Sequence, residues 1–288
     1  MSAIVNVNGQ ITDDRHAVVS VFDHGFLYGE GVYETLRTYR QRPFLLERHL
    51  RRLRNSAEMM ALDVPLTDAE LGDRIVHTVQ HATPLSPMGA EWYIRVLLTR
   101  GVGELSYDPA VTPTPTVVII VKPHADPPQE LYTNGVRAII SSIVRNHPGT
   151  VSPMIKSNNL MNNALAMQEG IKRGAFEVIM RNYRGELTEC SMSNLFLVNG
   201  GTVLTPPLSA GLLPGITREV VFEIGSDLGV SVRESTLRDE DLFGAEEVFL
   251  TGTTREILPI VEVDDRAIGS GIPGPMTKKL HAEFRRRV

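Results

Sequence analysis

The sequence predicts an α+β protein of two domains, because strands and helices are arranged differently on either side of a proline-rich segment. Residues 1–121 contain strand patterns together with two amphipathic helices. Residues 135–288 contain several hairpins, which indicate a sheet built largely from strands that are neighbours in the chain. The segment 122–134 holds three prolines and lacks apolar periodicity, so we expect an interdomain linker there.

The elements of the first domain follow from apolar spacing and turn residues. The stretch "IVNVNGQIT" predicts two strands joined by an Asn-Gly turn, and "VYETLRTY" with "PFLL" predicts a second hairpin. Helical periodicity covers 47–62 and 67–82, and Thr67 is a suitable N-cap for the second helix. Two apolar runs, "EWYIRVLLTRG" and "PTVVIIVKP", predict the buried strands that complete this domain.

The second domain begins with a predicted strand, "VRAIISSIV", and a helix that starts near Leu160. A hairpin turning at 183–185 then joins "FEVIMRN" to a single long strand, "ELTECSMSNLFLVN". After it we predict a helix behind Pro214–Gly215, two strands about a tight Gly turn in "EEVFLTGTTREILPIVEVDD", and a closing helix.

Composition excludes several classes of protein. Of the 288 residues, 42% are hydrophobic and 22% charged, and no apolar run approaches the roughly 18 residues of a membrane helix. The net charge of −5 speaks against a general nucleic-acid binder. No metal-binding or dinucleotide motif is present, so no metal site is expected. The single cysteine, Cys190, and an N-terminal stretch without signal-peptide features predict a cytoplasmic location.

A lysine directly before a helix is the first candidate for chemistry. In "PMIKSNNLMNNALAMQEG", Lys156 precedes the helical pattern, beside Ser157 and Asn158, which favour helix starts. A solvated surface lysine is the simplest interpretation, since lysines are seldom buried. The alternative is a lysine held in a cleft to form a Schiff base with a carbonyl compound. The local pattern leaves both interpretations open.

Two glycine-containing turns could bind an anion. Gly215, Ile216 and Thr217 stand at a helix start, where unpaired N–H groups and the helix dipole favour phosphate. An ordinary Pro-Gly helix entry explains that pattern equally well. Thr253 lies in a second such turn, "TGTTRE".

Two charged features have open interpretations as well. The helix "ERHLRRLRNSA" carries four arginines, which form a solvated basic face unless one of them turns inward to a phosphate. Glu189 stands among small polar residues at a strand end. It is either a surface acid or the partner of a buried cation.

Taken together, six stretches resemble the fold type IV pyridoxal-phosphate enzymes, the class IV aminotransferases, most of all the branched-chain type. They are "FDHGFLYGEGVYETLRTY" with "ERHLRRLRNSA", "IKSNNLMNNALAMQEG", "GELTECSMSNLF", "LLPGITREVV" and "TGTTREILPI", in the family's order over nearly the whole chain. The resemblance implies a small α/β sandwich domain and a larger pseudo-barrel domain that carries the Schiff-base lysine. It also implies pyridoxal 5'-phosphate as cofactor, and a homodimer or higher homo-oligomer.

The resemblance further implies a role for each matching residue. Lys156 binds the cofactor covalently and moves the proton of the substrate, while Glu189 lies at the pyridine nitrogen. The phosphate is bound by the remaining cofactor residues, which are Arg52, Ile216, Thr217 and Thr253. Met161 departs from the family pattern, because branched-chain enzymes usually place a tyrosine there.

The resemblance also bears on the choice of substrate. The residues implied to contact the substrate are Tyr28, Tyr33, Tyr93, Arg95 and Thr254. The loop "VGELSYDP" lacks the Arg-x-His pattern of D-amino-acid enzymes, whereas Thr35 is typical of aminodeoxychorismate lyases. We therefore expect transfer of an amino group between an aliphatic or branched-chain amino acid and a 2-oxo acid such as 2-oxoglutarate. The alternatives are aminodeoxychorismate lyase, a D-amino-acid or (R)-amine transaminase, and a non-catalytic binder of the cofactor.

Overall fold

A computed structural model describes residues 3–85 and 89–288 of the chain, with the side chain of residue 85 left aside. The chain divides into two compact units. The first comprises Met1–Ala125 together with Ile155–Asn159, and the second comprises Asp126–Met154 and Leu160–Val288. Residues 1, 2 and 86–88 of the predicted first domain lie outside the described part.

The first unit is a six-stranded antiparallel sheet in the order β2-β1-β6-β5-β3-β4, covered by helices. Its strands are β1 (Ile4–Val7), β2 (Gln10–Asp13), β3 (Gly31–Tyr39), β4 (Arg42–Pro43), β5 (Trp92–Thr99) and β6 (Thr116–Pro123). Its helices are α1 (His24–Leu27), α2 (Leu46–Glu58) and α3 (Asp68–Ala82).

The sheet of the first unit has one apolar and one polar face, because apolar and polar side chains alternate along its strands. In β5, Ile94 and Val96 are fully buried in the core that α2 and α3 cover, together with Leu53 and Ile75 of those helices. Residues between them in β5 are only half-buried and lie on the opposite face.

The predicted N-cap of α3 is confirmed, since Thr67 and Glu70 form a reciprocal capping box.

The second unit is a nine-stranded mixed sheet accompanied by helices. Its strands are β7 (Val136–Ile140), β8 (Glu177–Arg181), β9 (Leu187–Cys190), β10 (Asn194–Asn199), β11 (Thr202–Thr205), β12 (Val232–Glu234), β13 (Glu247–Gly252), β14 (Glu256–Val263) and β15 (Arg266–Ala267). Its helices are α4 (Gln129–Asn134), α5 (Met161–Lys172), α6 (Ile216–Leu228), α7 (Asp239–Phe243) and α8 (Pro275–Arg287), of which α4 and α7 are short.

The sheet of the second unit closes on itself. Its path runs β12-β11-β10-β13-β14-β7-β8-β9, and β9 then pairs with β10 through Glu189 and Asn194. Six strands therefore form a ring whose interior holds apolar side chains such as Leu195, Leu250 and Leu258. This barrel-like arrangement confirms the predicted fold class.

The structure differs from the predicted boundaries in three places. The predicted linker 122–134 includes the end of β6 and the helix α4, whose C-cap is Gly135 with φ of +79°. The lysine segment Ile155–Asn159, predicted in the second domain, packs with the first unit. The long strand predicted over 186–199 is interrupted, because the Cys190 amide bonds the Ser193 carbonyl (2.7 Å) and closes a tight turn.

Candidate active site

The segment around Lys156 runs along β3 as an additional antiparallel partner. Ser157 pairs with Val32, and the Tyr33 amide donates to the Lys156 carbonyl at 2.9 Å. From the other side, the Lys156 amide donates to the Ser56 hydroxyl of α2 at 3.1 Å. The main chain of Lys156 is thus fixed by both a strand and a helix of the first unit.

The amine of Lys156 lies over an aromatic ring that it shares with a second cation. Its Nζ is 4.5 Å from the ring centre of Tyr33, and the Arg95 guanidinium is 4.0 Å from the same centre. Lys156 is half-buried. The interpretation of Lys156 as a freely solvated lysine is therefore wrong, because its backbone and its amine are both positioned.

Several predicted substrate residues share the polar face of the first sheet. Arg95 pairs with Thr35 across β3 and β5, and Tyr93 pairs with Lys122, whose Nζ lies 4.9 Å from the Tyr93 ring centre. Alternation places Tyr33 on this face too.

Tyr28 lies at the end of α1, and its ring contacts are with other aromatic side chains. Its ring packs against His24 and Tyr107, at centroid distances of 4.9 and 5.1 Å. The structure thus brings Tyr33, Arg95 and Lys156 together and places Tyr28 among other aromatic side chains.

On the opposite face of β3, a buried charge network holds Arg52. The Arg52 Nε and Nη2 donate to the two carboxylate oxygens of Glu34 at 2.7 and 2.8 Å, and His49 Nδ1 bonds the same carboxylate at 2.7 Å. Glu34 is fully buried and Arg52 only 8% exposed, so Arg52 is the arginine of α2 that turns inward.

The network shifts the pKa values of its members. Burial acts to raise the pKa of Glu34, but the Arg52 guanidinium and the hydrogen bonds from Arg52 and His49 hold it well below its usual range. Burial lowers the pKa of His49, and the Glu34 carboxylate opposes that shift, whereas the charges of Arg52 and Lys156 add to it. Sequence reasoning missed Glu34 and His49; the only signal was the three-residue spacing of His49 and Arg52 on one helix.

In the second unit, Glu189 is buried and paired rather than exposed. Arg145 Nε donates to its Oε1 at 2.8 Å, and the Leu213 amide donates to its Oε2 at 3.1 Å. Arg145 in turn bonds the side-chain oxygen of Asn162 at 3.0 Å. The surface interpretation of Glu189 is wrong, and sequence reasoning missed Arg145, which lies 44 residues earlier in the chain.

The helix start at Ile216 and Thr217 lies close behind the loop that contacts Glu189. Gly215 is the N-cap of α6 and makes no side-chain cap, while both following residues are buried. A Cβ at Gly215 would lie 1.9 Å from the Asn194 Oδ1, so only glycine fits. The first amides of a 13-residue helix are consequently available at a place without a capping side chain, which suits an anion.

The second predicted anion turn joins β13 to β14. The Arg255 amide bonds the Gly252 carbonyl at 3.2 Å, which closes a tight turn with Thr253 and Thr254 at its tip. The next residue, Glu256, has φ of +54°, and its buried carboxylate bonds His281 and Arg285 of α8 at 2.8 and 2.7 Å. The turn is therefore held firmly at its C-terminal end.

Within the described residues, no cluster of three or more His, Cys, Asp or Glu is arranged to hold a metal ion. Over the same part of the chain, every helix is too short or too polar to cross a membrane. The first unit thus offers a positioned amine with an arginine beside it. The second unit offers two backbone turns suited to anions and a buried carboxylate with its own arginine.

Comparison with known proteins identifies the class of enzyme and the family to which this fold and these residues belong. The pattern of the family "Amino-transferase class IV" matches residues 31–263, and the chain belongs to this family. The predicted family and the predicted enzyme class are thereby confirmed.

Relatives and a solved structure of the family are similar over the whole chain. The putative branched-chain-amino-acid aminotransferase of Methanocaldococcus jannaschii is 38% identical, over 98% of this chain and 95% of its own length. The D-alanine aminotransferase of Bacillus licheniformis is 31% identical over the same shares. The branched-chain aminotransferase of Thermoproteus uzoniensis, solved with norvaline, is 35% identical and superposes with a TM-score of 0.90, over 99% of this chain and 94% of that one.

We expect Glu34→Gln to lower the free energy of unfolding by about 3–5 kcal/mol at pH 7, because it leaves Arg52 buried without its charged partner. The pKa of Glu34 in the folded chain lies below 4.5, the ordinary value of a glutamate. The charge of Glu34 therefore stabilises the fold fully above pH 4.5, and this contribution falls as the pH drops below that value.

Urea unfolding of wild type and variant between about pH 3.5 and 7 measures this effect, with the exposed Glu58→Gln as control. The difference between wild type and Glu34→Gln should shrink at the acid end. A variant as stable as wild type at pH 7 would show that the network contributes nothing.

Proposed function

We propose that this class IV aminotransferase uses pyridoxal 5'-phosphate to move an amino group between an aliphatic or branched-chain amino acid and a 2-oxo acid such as 2-oxoglutarate. The observation that supports it best is the placement of the Lys156 amine and the Arg95 guanidinium over one tyrosine ring. Transamination needs an amine to carry out the chemistry and a cation to bind carboxylates, and both are present there. The relative solved with norvaline, an aliphatic amino acid, supports an aliphatic substrate.

The donor groups of the chain fit the proposed cofactor. In the first unit we assign Lys156 to its covalent attachment and Arg52 to its phosphate. In the second unit we assign Glu189 to its ring nitrogen. The helix-start amides of Ile216 and Thr217, with Thr253, serve the phosphate. The cofactor supplies an electron sink for the carbanion that forms at the substrate Cα.

The chain itself supplies the proton transfer and the electrostatics. Lys156 Nζ accepts the proton that leaves the substrate Cα, since the main chain of Lys156 is fixed and its amine lies over the Tyr33 ring. Arg145 donates a charge-assisted hydrogen bond to Glu189, which holds this buried carboxylate in place to accept a hydrogen bond from a ring nitrogen.

Substrate carboxylates are assigned to the polar sheet face and to the second turn. Arg95, with Tyr93 beside it on β5, binds one carboxylate, and the amides of the Thr253–Thr254 turn bind another. Tyr28 and Tyr33 provide the aromatic walls. Met161, which stands where branched-chain enzymes usually have tyrosine, is 65% exposed.

Two other activities have a specific observation behind them. The 31%-identical D-alanine aminotransferase favours a D-amino acid donor. Thr35, which pairs with Arg95 across β3 and β5, favours the aminodeoxychorismate lyase. The lyase differs in chemistry, because it returns the cofactor unchanged and needs no second 2-oxo acid.

A donor panel under single-turnover conditions distinguishes these activities. We expect L-leucine to convert the bound cofactor to its amine form, seen as loss of the visible absorbance band, and 2-oxoglutarate to restore it. D-alanine and an (R)-arylamine should react much more slowly. If only D-alanine bleaches the band, or if aminodeoxychorismate yields pyruvate without bleaching, the proposed substrate is wrong.

Arg95→Ala should raise the KM for 2-oxoglutarate by roughly tenfold or more, because a charge-assisted contact is worth about 1.5–3 kcal/mol. The reaction with L-leucine, which has only one carboxylate, should change less. Lys122→Ala, which removes a cation on the same sheet, serves as control. Equal increases in the KM values for 2-oxoglutarate and L-leucine would contradict the proposed role of Arg95.

We also propose a homodimer, supported by an apolar surface on the first unit. Two neighbouring segments meet where Asp23 pairs with Val102, and they expose large apolar side chains. These are Val18, Val21, Phe22, Phe26, Leu105 and Tyr107, each at least 51% exposed. Exposed apolar clusters of this kind typically mark protein interfaces.

Light scattering coupled to gel filtration should therefore give at least twice the 31.8 kDa of one chain. A monomer at micromolar concentration would contradict the homodimer. The cytoplasmic location remains a prediction of the sequence.

A further inference from the structure

A fully buried carboxylate that has no part in the proposed chemistry lies at the start of β8. Glu177 has no exposed surface, and its Oε1 accepts hydrogen bonds from the Ser191 hydroxyl and from the Val178 amide, the latter at 2.9 Å. Its Oε2 accepts from the Ser193 hydroxyl at 3.3 Å and from Arg255 Nη1. A buried carboxylate is costly unless it is paired, and this one is paired on both oxygens.

The partners of Glu177 belong to two separate turns. Ser191 and Ser193 form the turn between β9, which carries Glu189, and β10. Arg255 ends the turn that presents Thr253 and Thr254.

The two turns also touch directly. Arg255 Nη1 reaches the Ser193 hydroxyl at 3.4 Å. A Cβ on Gly252 would lie 3.6 Å from the same hydroxyl oxygen and 3.7 Å from the Met192 carbonyl. The single carboxylate of Glu177 is therefore the charged link between the turn after Glu189 and the turn at 252–255.

Arg255 is held at its backbone as well as at its guanidinium. Its amide bonds the Gly252 carbonyl, and its carbonyl accepts from the Tyr132 hydroxyl at 3.2 Å. Its guanidinium lies 4.8 Å from the ring centre of Phe176, the residue before Glu177. The side chain of Arg255 thus contacts both Glu177 and Phe176, and its backbone closes the turn that carries Thr253 and Thr254.

We propose that Glu177 is a positioning residue that holds the Thr253–Thr254 turn in a fixed position relative to β9, the strand that carries Glu189. It thereby sets the affinity of this turn for anionic groups. The inference rests on the proposed function of the turn, which is to bind the substrate carboxylate and the cofactor phosphate. Glu177 acts through Arg255 and touches neither ligand. Its loss should weaken binding more than it slows the chemical step.

The test compares Glu177→Gln holoenzyme with wild type. Glutamine keeps the size of the side chain and removes the charge that Arg255 needs. The probe is 4-methylvaleric acid, an aliphatic carboxylate without an amine. We expect its Kd to rise about tenfold in the variant and the KM for 2-oxoglutarate to rise by a similar factor. The kcat should change less than about threefold. The Kd for the cofactor, measured by its re-addition to the cofactor-free protein, should rise in parallel.

Glu247→Gln is the matched control. Glu247 is a buried carboxylate of the same unit, and it accepts hydrogen bonds from the Met276 and Thr277 amides at the start of α8, both at 2.8 Å. Its loss should lower the thermal midpoint without changing either Kd. Equal Kd values for Glu177→Gln and wild type, or equal increases in both variants, would overturn the inference.

A milder variant covers the case in which Glu177→Gln does not fold. Ser193→Ala removes one donor to Glu177 and should raise the Kd for 4-methylvaleric acid by about threefold, and an unchanged Kd overturns the inference. The proposed function is tested separately by the wild type. A wild type that binds the carboxylate without transferring an amino group contradicts the proposed function and leaves the comparison of Kd values intact.

Discussion

The backbone pairing between the lysine segment and β3 is the constraint on which the cluster of Lys156, Tyr33 and Arg95 in the first unit depends. Ile155–Asn159 lies in the chain between β7 and α5, yet it bonds to β3 through Ser157, through the Lys156 carbonyl, and through the Asn158 amide at 2.8 Å from the Gly31 carbonyl. These bonds fix where the side chain of Lys156 starts. Successive residues of a strand point to opposite faces of the sheet. The same backbone bonds therefore place the Lys156 amine beside Tyr33, whose ring also contacts Arg95, while Glu34 points into the core.

Each unit has a buried carboxylate–arginine pair that includes a residue proposed to bind the cofactor. Glu34 orients Arg52, with His49 as a third member, and Arg145 orients Glu189. Buried ion pairs of this kind add little stability compared with a well-packed apolar pair, because the cost of removing both charges from water is large, although removing one partner alone is strongly destabilising. The two pairs instead restrict side-chain orientation, because a guanidinium paired with a carboxylate has only a few possible orientations. The side chains of Arg52 and Glu189 are therefore held in place before a ligand binds.

The structure also separates what the sequence could predict from what it could not. Helix α3 and the alternating strand β5 were predictable, because their periodicity and caps are local. The turn at Ser191–Ser193 was missed, since its residues continue a strand-like pattern and the closing bond depends on tertiary pairing. Helix α4 was missed for a similar reason, as three nearby prolines concealed a six-residue helix.

Among the site residues, the sequence indicated Lys156, Arg52 and Glu189 through family resemblance, whereas their own surroundings favoured exposed side chains. The partners of the buried charges are distant in the chain: Glu34 lies 18 residues before Arg52, and Glu177 lies 78 before Arg255. Such pairs leave no periodic signal, because each partner fits a strand or a turn on its own. Only the folded arrangement shows which charges are paired.

Lys156 is the residue proposed to bind the cofactor, and covalent labelling tests this role most directly. The chain has five lysines, at positions 122, 156, 172, 278 and 279, so the outcome is easily assigned. Borohydride reduction of the holoenzyme makes the bond between cofactor and lysine permanent, and peptide mass spectrometry then locates it. We predict a single phosphopyridoxyl group on Lys156. A label on Lys122 or on any other lysine, or no label in a protein that carries the cofactor, would contradict the account.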